Sequence, residues 1–520
     1  MVELNNADLK DALDLIPHQY RGPGGVAGIV KDGEIVATRA WGYSDLSKHN
    51  AMTAGTRLPI CSISKQFTCG VLLDKIDNLD RLNDRVKDFI PKFRGTFPTV
   101  KELCDNQSGL RDYWALSILQ GARAEQTFER SDALPLLAQM KTGHFEPGTS
   151  YSYCNGNFRM LSELIEAETG QSMEALYSEV IWGPAGMKTA VLNSDTRHPT
   201  DQVVGYEGND VTGFFPANNG IYWIGDAGIS ASLQDMLAYE IWIDNTREDA
   251  TSLYQRLSEP PVFRDGTPAS YGFGLAHHTV SGVKVTSHGG ALRGFRAFRM
   301  HAAVERLSVV VMFNHEANVF GAAASILQAA LGSEEPDLQQ IPQGWDGQWI
   351  CRETGLLARL KTGKLSGELN FATAPDRVVS GLGGHLEAEG LTLSNDGTTL
   401  MMRRDAENML STLDPLATKI ATLDLEIAGR YEAEELEASM VIEVRDSGIY
   451  SWIEGMLGSG IMERLHPVGP DTLIMVTRRS MDAPAPGDWT LSLIRDDAGH
   501  VTGFRLGCWL ARQIDYIKTT

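Results

Sequence analysis

Pro59-Ile60-Cys61-Ser62-Ile63-Ser64-Lys65-Gln66-Phe67 is the stretch whose reading decides the fold. An apolar run ends at Ser62, and a helix-like segment follows it to about Ile76. Ser62 and Lys65 are spaced i, i+3, which puts both side chains on one face of a helix. A serine hydroxyl attacks well only when a neighbouring base takes its proton, and a desolvated lysine one turn away can help do so. Backbone N–H groups at a helix N-terminus also point toward a developing oxyanion. By itself the pair is a weak signal, since Ser and Lys are ordinary helix residues. A second match, Ser281-Gly282-Val283-Lys284, lies in alternating, glycine-broken strand sequence, where i and i+3 face opposite sides, and is set aside.

The chain has 520 residues, more than one core organises, so two to four domains are expected. Its formal net charge of -21 argues against nucleic acid and anionic membranes as partners and suits cationic small substrates. Met1 to Asp8 lacks the basic and apolar regions of a signal peptide, and no apolar run approaches the ~18 residues of a membrane span. Six cysteines, at 61, 69, 104, 154, 351 and 508, show no zinc or disulfide spacing, as suits reduced thiols in a cytoplasm. Cys61 reads as a small apolar filler beside the serine. His277-His278 lacks converging Cys, Asp or Glu, so neither a metal nor a cofactor is expected.

Outward from Ser62, residues 25–41 read as a β-hairpin around Lys31-Asp32-Gly33. Helix signals recur between it and a strand-rich region at 271–315, and a last helix is expected at about 319–331. That order implies one sheet assembled from both ends and flanked by helices. Gly332 to Asp337 reads as a linker. Beyond it, short alternating strands begin at two similar starts, Trp345-Asp346-Gly347-Gln348-Trp349 and Ile427-Ala428-Gly429-Arg430-Tyr431. A duplicated β-meander or barrel follows, with two unrelated β-modules as the alternative. The expected boundaries are 1–333, 334–418 and 419–520.

A nucleophilic Ser62 needs a proton route and a place for its substrate. Tyr153 and Asn155 follow the Pro147-Gly148 loop and open a helix, where polar side chains stay accessible. A phenol beside a lysine ammonium is expected to have its pKa lowered. The plain alternatives are a buried, bonded tyrosine and an Asn155 that caps its helix. His288-Gly289-Gly290-Ala291 ends a strand, and its two glycines let a substrate backbone approach and leave N–H groups free.

Ser62-x-x-Lys65, Tyr153-x-Asn155 and His288-Gly289-Gly290, in that order, resemble the motifs of the penicillin-recognising serine hydrolases. The likeness covers about 10–332 and is to the branch of class C β-lactamases, D-Ala-D-Ala carboxypeptidases, esterases and D-aminopeptidases. It implies an α/β (α+β) β-lactamase-like catalytic domain with an antiparallel sheet flanked by helices. It also implies that Ser62 forms an acyl-enzyme and that Lys65 and Tyr153 share proton transfer, with the base left open between them. Asn155 would bond the substrate's acyl side, and the N–H groups of Ser62 and Ala291 would form the oxyanion hole.

The third motif usually carries a lysine that helps bind a free substrate carboxylate. His288 stands there instead and is mostly neutral near pH 7. A carboxypeptidase or β-lactamase is thereby disfavoured. The whole chain is most similar to the D-aminopeptidase branch, in which two antiparallel β-barrels follow the catalytic domain. In that reading the loop 478–488 enters the cleft and sets Asp482 near the substrate ammonium. The expected activity is release of N-terminal D-residues, D-alanine above all, from small amides, esters and peptides. A carboxylesterase or β-lactamase on the same fold is the alternative, and a non-catalytic peptide-binding protein a third. A homodimer is left open.

Overall fold

A computed structural model describes residues 6–332, 338–417, 425–446, 448–477, 479–482 and 486–519. Most of the 332–337 linker, and residues 478 and 483–485 of the loop, lie outside the described residues.

The N-terminal hairpin pairs β1 (Gly24–Lys31) with β2 (Glu34–Asp45), which is edged by β3 (Asn50–Ala51). Five more strands come from the other end of this region: β4 (Tyr271–Gly272), β5 (Leu275–Val280), β6 (Val283–Leu292), β7 (Phe295–Ala302) and β8 (Leu307–Phe313). They make one antiparallel sheet in the order β3-β2-β1-β8-β7-β6-β5-β4. The two chain segments meet where β1 pairs β8, Gly28 opposite Val310. Both strands are buried along nearly their whole length, so their apolar side chains serve both faces.

Helices α1 (Asn6–Gln19) and α6 (Val319–Leu331) cover one face through Leu9, Leu13, Ala323 and Leu327. The other face carries α2 (Ser64–Lys75), α3 (Tyr113–Leu119), α4 (Asn155–Thr169) and α5 (Leu233–Asn245). The decoy pair Ser281/Lys284 sits at the β5–β6 turn, where Ser281 and Gly282 both have positive φ.

Two closed barrels of eight antiparallel strands follow. The first runs from Gly347–Cys351 to Met409–Pro415. The second runs from Gly429–Ala433 to Ala511–Lys518, closes through the pairing of Ala438–Arg445 with Gly448–Gly455, and carries Gly458–Ser459 as an extra edge strand. The similar starts at 345–349 and 427–431 each open the first strand of a barrel.

The barrels are packed differently. The first has its own core around Leu369, Val378 and Leu393, into which Trp509 of the second barrel inserts. The second barrel shares one continuous core with the helical face of the sheet, from Phe67 and Trp114 to Ile453, Trp489 and Phe504. Buried Arg111 crosses that junction, donating to the carbonyl oxygens of Thr142 (2.6 Å) and Arg512 (2.9 Å) and to Glu435 (2.6 Å).

Candidate active site

Three elements converge beside α2. The short strand Leu58–Pro59 leads into a 3-10 turn, Cys61–Ile63, and then into α2. Helix propensity does not make this turn: Cys61 has φ +52°, a left-handed conformation costly for any residue with a Cβ. The turn places Ser62 just ahead of the α-helix, so the helix proper starts two residues later than the sequence suggests. Lys65 is fully buried, and its Nζ donates to Ser62 Oγ (2.9 Å), Asn155 Oδ1 (2.8 Å) and the Asp226 carbonyl oxygen (2.7 Å). Burial brings its pKa down to about 8, and Asp226, Asp112 and Asp482 resist that fall.

Asn155 is the first residue of α4, and Cys154, not Asn155, holds the cap position. Its side chain turns inward instead: Oδ1 accepts from Lys65, and Nδ2 donates to Asp112 Oδ1 (3.0 Å). The Asn155 N–H donates to the same oxygen (2.6 Å). The Lys65 ammonium lies 4.9 Å from the centre of the Tyr153 ring. Burial pushes the phenol's pKa well above 10, opposed in part by a hydrogen bond with Ser62. This reverses the expected lowering, because desolvation of the phenolate outweighs the nearby ammonium.

β5 pairs with β6 only as far as Ser287, whereas β6 runs on to Leu292 paired with β7 alone. Residues 288–292 therefore leave one edge free, facing the turn that carries Ser62. A Cβ on Gly290 would lie 2.2 Å from the Ile60 carbonyl oxygen and 3.0 Å from Cys61 Cβ, so only glycine lets strand and turn come this close. His288 is buried and neutral, its pKa lowered to about 3 by burial and by the Lys65 charge. Its Nδ1–H donates to the Gly289 carbonyl oxygen (2.5 Å), which leaves Nε2 to accept from the Tyr271 hydroxyl (2.8 Å). Both ring nitrogens are thus occupied within the protein.

Ser62, Tyr153, Asn155 and His288 to Ala291 line one cavity of about 770 Å³. Thr373 and Ala374 of the first barrel line it too, with Ser480, Asp482, Pro486 and Leu510 of the second. The Asp482 carbonyl oxygen accepts from the Arg293 N–H (3.0 Å), just past β6, and its Oδ1 accepts from Ser480 Oγ (2.9 Å). Burial, with Asp112 adding to it, brings the Asp482 carboxyl up to about 7. Among the described residues no three His, Cys, Asp or Glu side chains gather as metal ligands would.

A family profile described as Beta-lactamase matches residues 9–333, and one described as D-aminopeptidase, domain B, matches residues 338–517. A D-aminopeptidase of Cereibacter sphaeroides is 63% identical over 511 residues, 98% of each chain. A D-aminopeptidase of Brucella melitensis biotype 2 is 46% identical over 521 residues, 99% of each. The chain belongs to the D-aminopeptidase family. Among solved structures, the octameric penicillin-binding protein homologue from Pyrococcus abyssi shares the fold of this D-aminopeptidase family member. It matches at 17% identity with a TM-score of 0.56, covering 79% of this chain and 100% of its own.

Sequence reasoning missed the groups that hold the site together. Asp112 fixes Asn155 while its Oδ2 caps α3 through the N–H groups of Trp114 (3.1 Å) and Ala115 (3.3 Å). An acidic residue at the start of a helix was the available signal. The Asp226 carbonyl and the Tyr271 hydroxyl act from turns and short strands, with no periodic pattern to mark them.

Proposed function

We propose that the Ser62 cleft releases N-terminal D-residues, D-alanine foremost, from small amides, esters and peptides through an acyl-enzyme. The observation that carries this reading is the pairing of a neutral, internally bonded His288 with a carboxyl, Asp482, on the same cavity wall. A substrate carboxylate finds no lysine at the third motif, while a substrate ammonium finds an acid.

In this mechanism Lys65, its pKa lowered to about 8, acts in its deprotonated form and takes the Ser62 proton. Ser62 Oγ attacks the carbonyl carbon, and the backbone N–H groups of Ser62 and Ala291 receive the oxyanion. Tyr153 stays a phenol and passes a proton to the leaving nitrogen, receiving one from Lys65. Asn155 orients Lys65 and the acyl side of the substrate, and Gly289 and Gly290 admit the substrate backbone along the free edge of β6. The C–N bond breaks, the amine departs, and water activated by the same relay hydrolyses the ester of Ser62. Asp482 becomes a carboxylate when the ammonium arrives. Divisions at 333/334 and 418/419, a cytoplasmic location and a homodimer belong to the same reading. No helix among the described residues is long and apolar enough to cross a membrane.

The test compares D-alanine p-nitroanilide with its N-acetylated form and with a simple p-nitrophenyl ester. The free amine is expected to react at least about tenfold faster than the blocked amide, an interaction worth about 1.4 kcal/mol. Equal turnover of the two sinks the aminopeptidase reading and leaves the esterase.

A further inference from the structure

Asp482 sits between a backbone bond to Arg293 and the chain segment from Arg479, and these two arginines are joined through Glu125 and Glu207, none of which plays a part in the mechanism above. Arg293, in the β6–β7 turn, has a side chain only 1% exposed. It donates to Glu207 through Nε (3.3 Å) and Nη2 (2.9 Å), to Glu125 (3.1 Å), and through Nη1 to the carbonyl oxygens of Ala124 (2.7 Å) and Asn218 (3.2 Å). Its backbone N–H donates to the Asp482 carbonyl oxygen at 3.0 Å. Arg479, three residues before Asp482 on the second barrel, binds the same two carboxylates: Glu207 at 3.3 Å, and Glu125. Between them Met481 is buried at 1% exposure, and Ser480 bonds the Asp482 carboxyl.

Two arginines from different parts of the chain therefore share two glutamates, and the segment 479–482 is tied at both ends. The four charges sum to zero, so neither arginine is left uncompensated on its own side of the junction. Glu207 is 7% exposed, which keeps solvent from screening its side of the cluster. Arg479 is 42% exposed and also borders a separate cavity of about 400 Å³, so shortening it opens no sealed void in the core.

We propose that the Arg479–Glu125–Glu207–Arg293 cluster is a positioning clamp that fixes Asp482 at the cleft and so sets the preference for substrates with a free amino group. The proposal rests on the reading of Asp482 as the partner of the substrate amine. Arg479 is a positioning residue in it, acting only through Asp482.

The test measures kcat and KM separately for D-alanine p-nitroanilide and for N-acetyl-D-alanine p-nitrophenyl ester, using full-length wild type, Arg479→Ala, Arg479→Lys, Asp482→Ala and the Arg479→Ala/Asp482→Ala double variant. Loss of a charge-assisted contact predicts that Arg479→Ala raises KM for the free amine about tenfold, with kcat within about twofold and the blocked ester unchanged. Arg479→Lys falls between, because an ammonium cannot bridge both carboxylates as the guanidinium fork does. The double variant is expected to match Asp482→Ala, since a clamp has nothing left to position. Equal losses on both substrates, or no change on either, overturn the clamp. If Asp482→Ala alone leaves the free-amine preference intact, the amine reading falls and the clamp with it. If Asp482→Ala removes that preference and Arg479→Ala does not touch it, only the clamp falls. Should Arg479→Ala fail to fold, Glu125→Gln decides instead, with the same KM shift expected in smaller size and an unchanged KM overturning the clamp.

Discussion

Lys65 and Asp482 both lie within reach of neutral pH, at about 8 and about 7, and both must lose a proton for the proposed reaction. The kcat/KM for D-alanine p-nitroanilide is therefore expected to climb across that interval, with both groups visible in the free enzyme's profile. For N-acetyl-D-alanine p-nitrophenyl ester only the Lys65 limb remains, and a pH profile of Asp482→Asn checks the assignment. The same carboxyl has a stability signature. Its pKa is raised on folding, so the folded chain binds the proton more tightly than the unfolded chain does. Stability then falls as pH rises from about 4 to about 7, and the penalty is fully present above the folded value. The Tm of Asp482→Asn relative to wild type is expected to grow across that window, softened because Asp482 keeps part of its surface open to the cavity. Tyr153, held as a phenol, supports a different expectation: Tyr153→Phe lowers kcat by about 10²–10⁴ with KM little changed, read in steady-state assays with the anilide. The i, i+3 spacing suggested Ser62 and Lys65 as a pair only together with the two later motifs, and the structure sets their side chains 2.9 Å apart. The direction of the Tyr153 shift was not, because burial is a property of the packed site and outweighs the neighbouring charge.

At the level of elements, the site depends on how closely β6 approaches the turn at Ile60–Ser62. Gly290→Ala puts a methyl carbon 2.2 Å from the Ile60 carbonyl oxygen, a backbone atom that cannot swing aside. Strand and turn must separate, and the N–H pair proposed for the oxyanion loses its geometry. A fall in kcat/KM of at least about 100-fold is expected from that loss, with a lowered Tm measured alongside. The paired glycines were read as room for a substrate backbone, whereas the close neighbour at Gly290 is the turn at Ile60 and Cys61, which lies far away in sequence. Asp112 illustrates the same limit. Its role as a helix cap follows from local pattern, whereas its grip on Asn155 comes from the meeting of α3 and α4.

For the whole molecule, strand alternation beyond 338 announced barrels but not that the second shares its core with the helices around Ser62. Inward apolar residues look alike whether they face their own barrel or a neighbour. The shared core predicts that a chain ending at 418 exposes Trp114, Leu119 and the buried Arg111 and aggregates, as light scattering on the purified fragment can check. It also predicts two calorimetric transitions, one for the helical region with the second barrel and one for the first barrel with its separate core.

Translation gives the cavity's mixed walls a temporal meaning. Ser62 leaves the ribosome well before Ser480, Asp482, Pro486 and Leu510, which follow it in the chain after the whole first barrel. A chain made only as far as the first barrel thus carries Ser62 without the second-barrel wall of its cavity, so the proposed choice of substrate waits on that barrel.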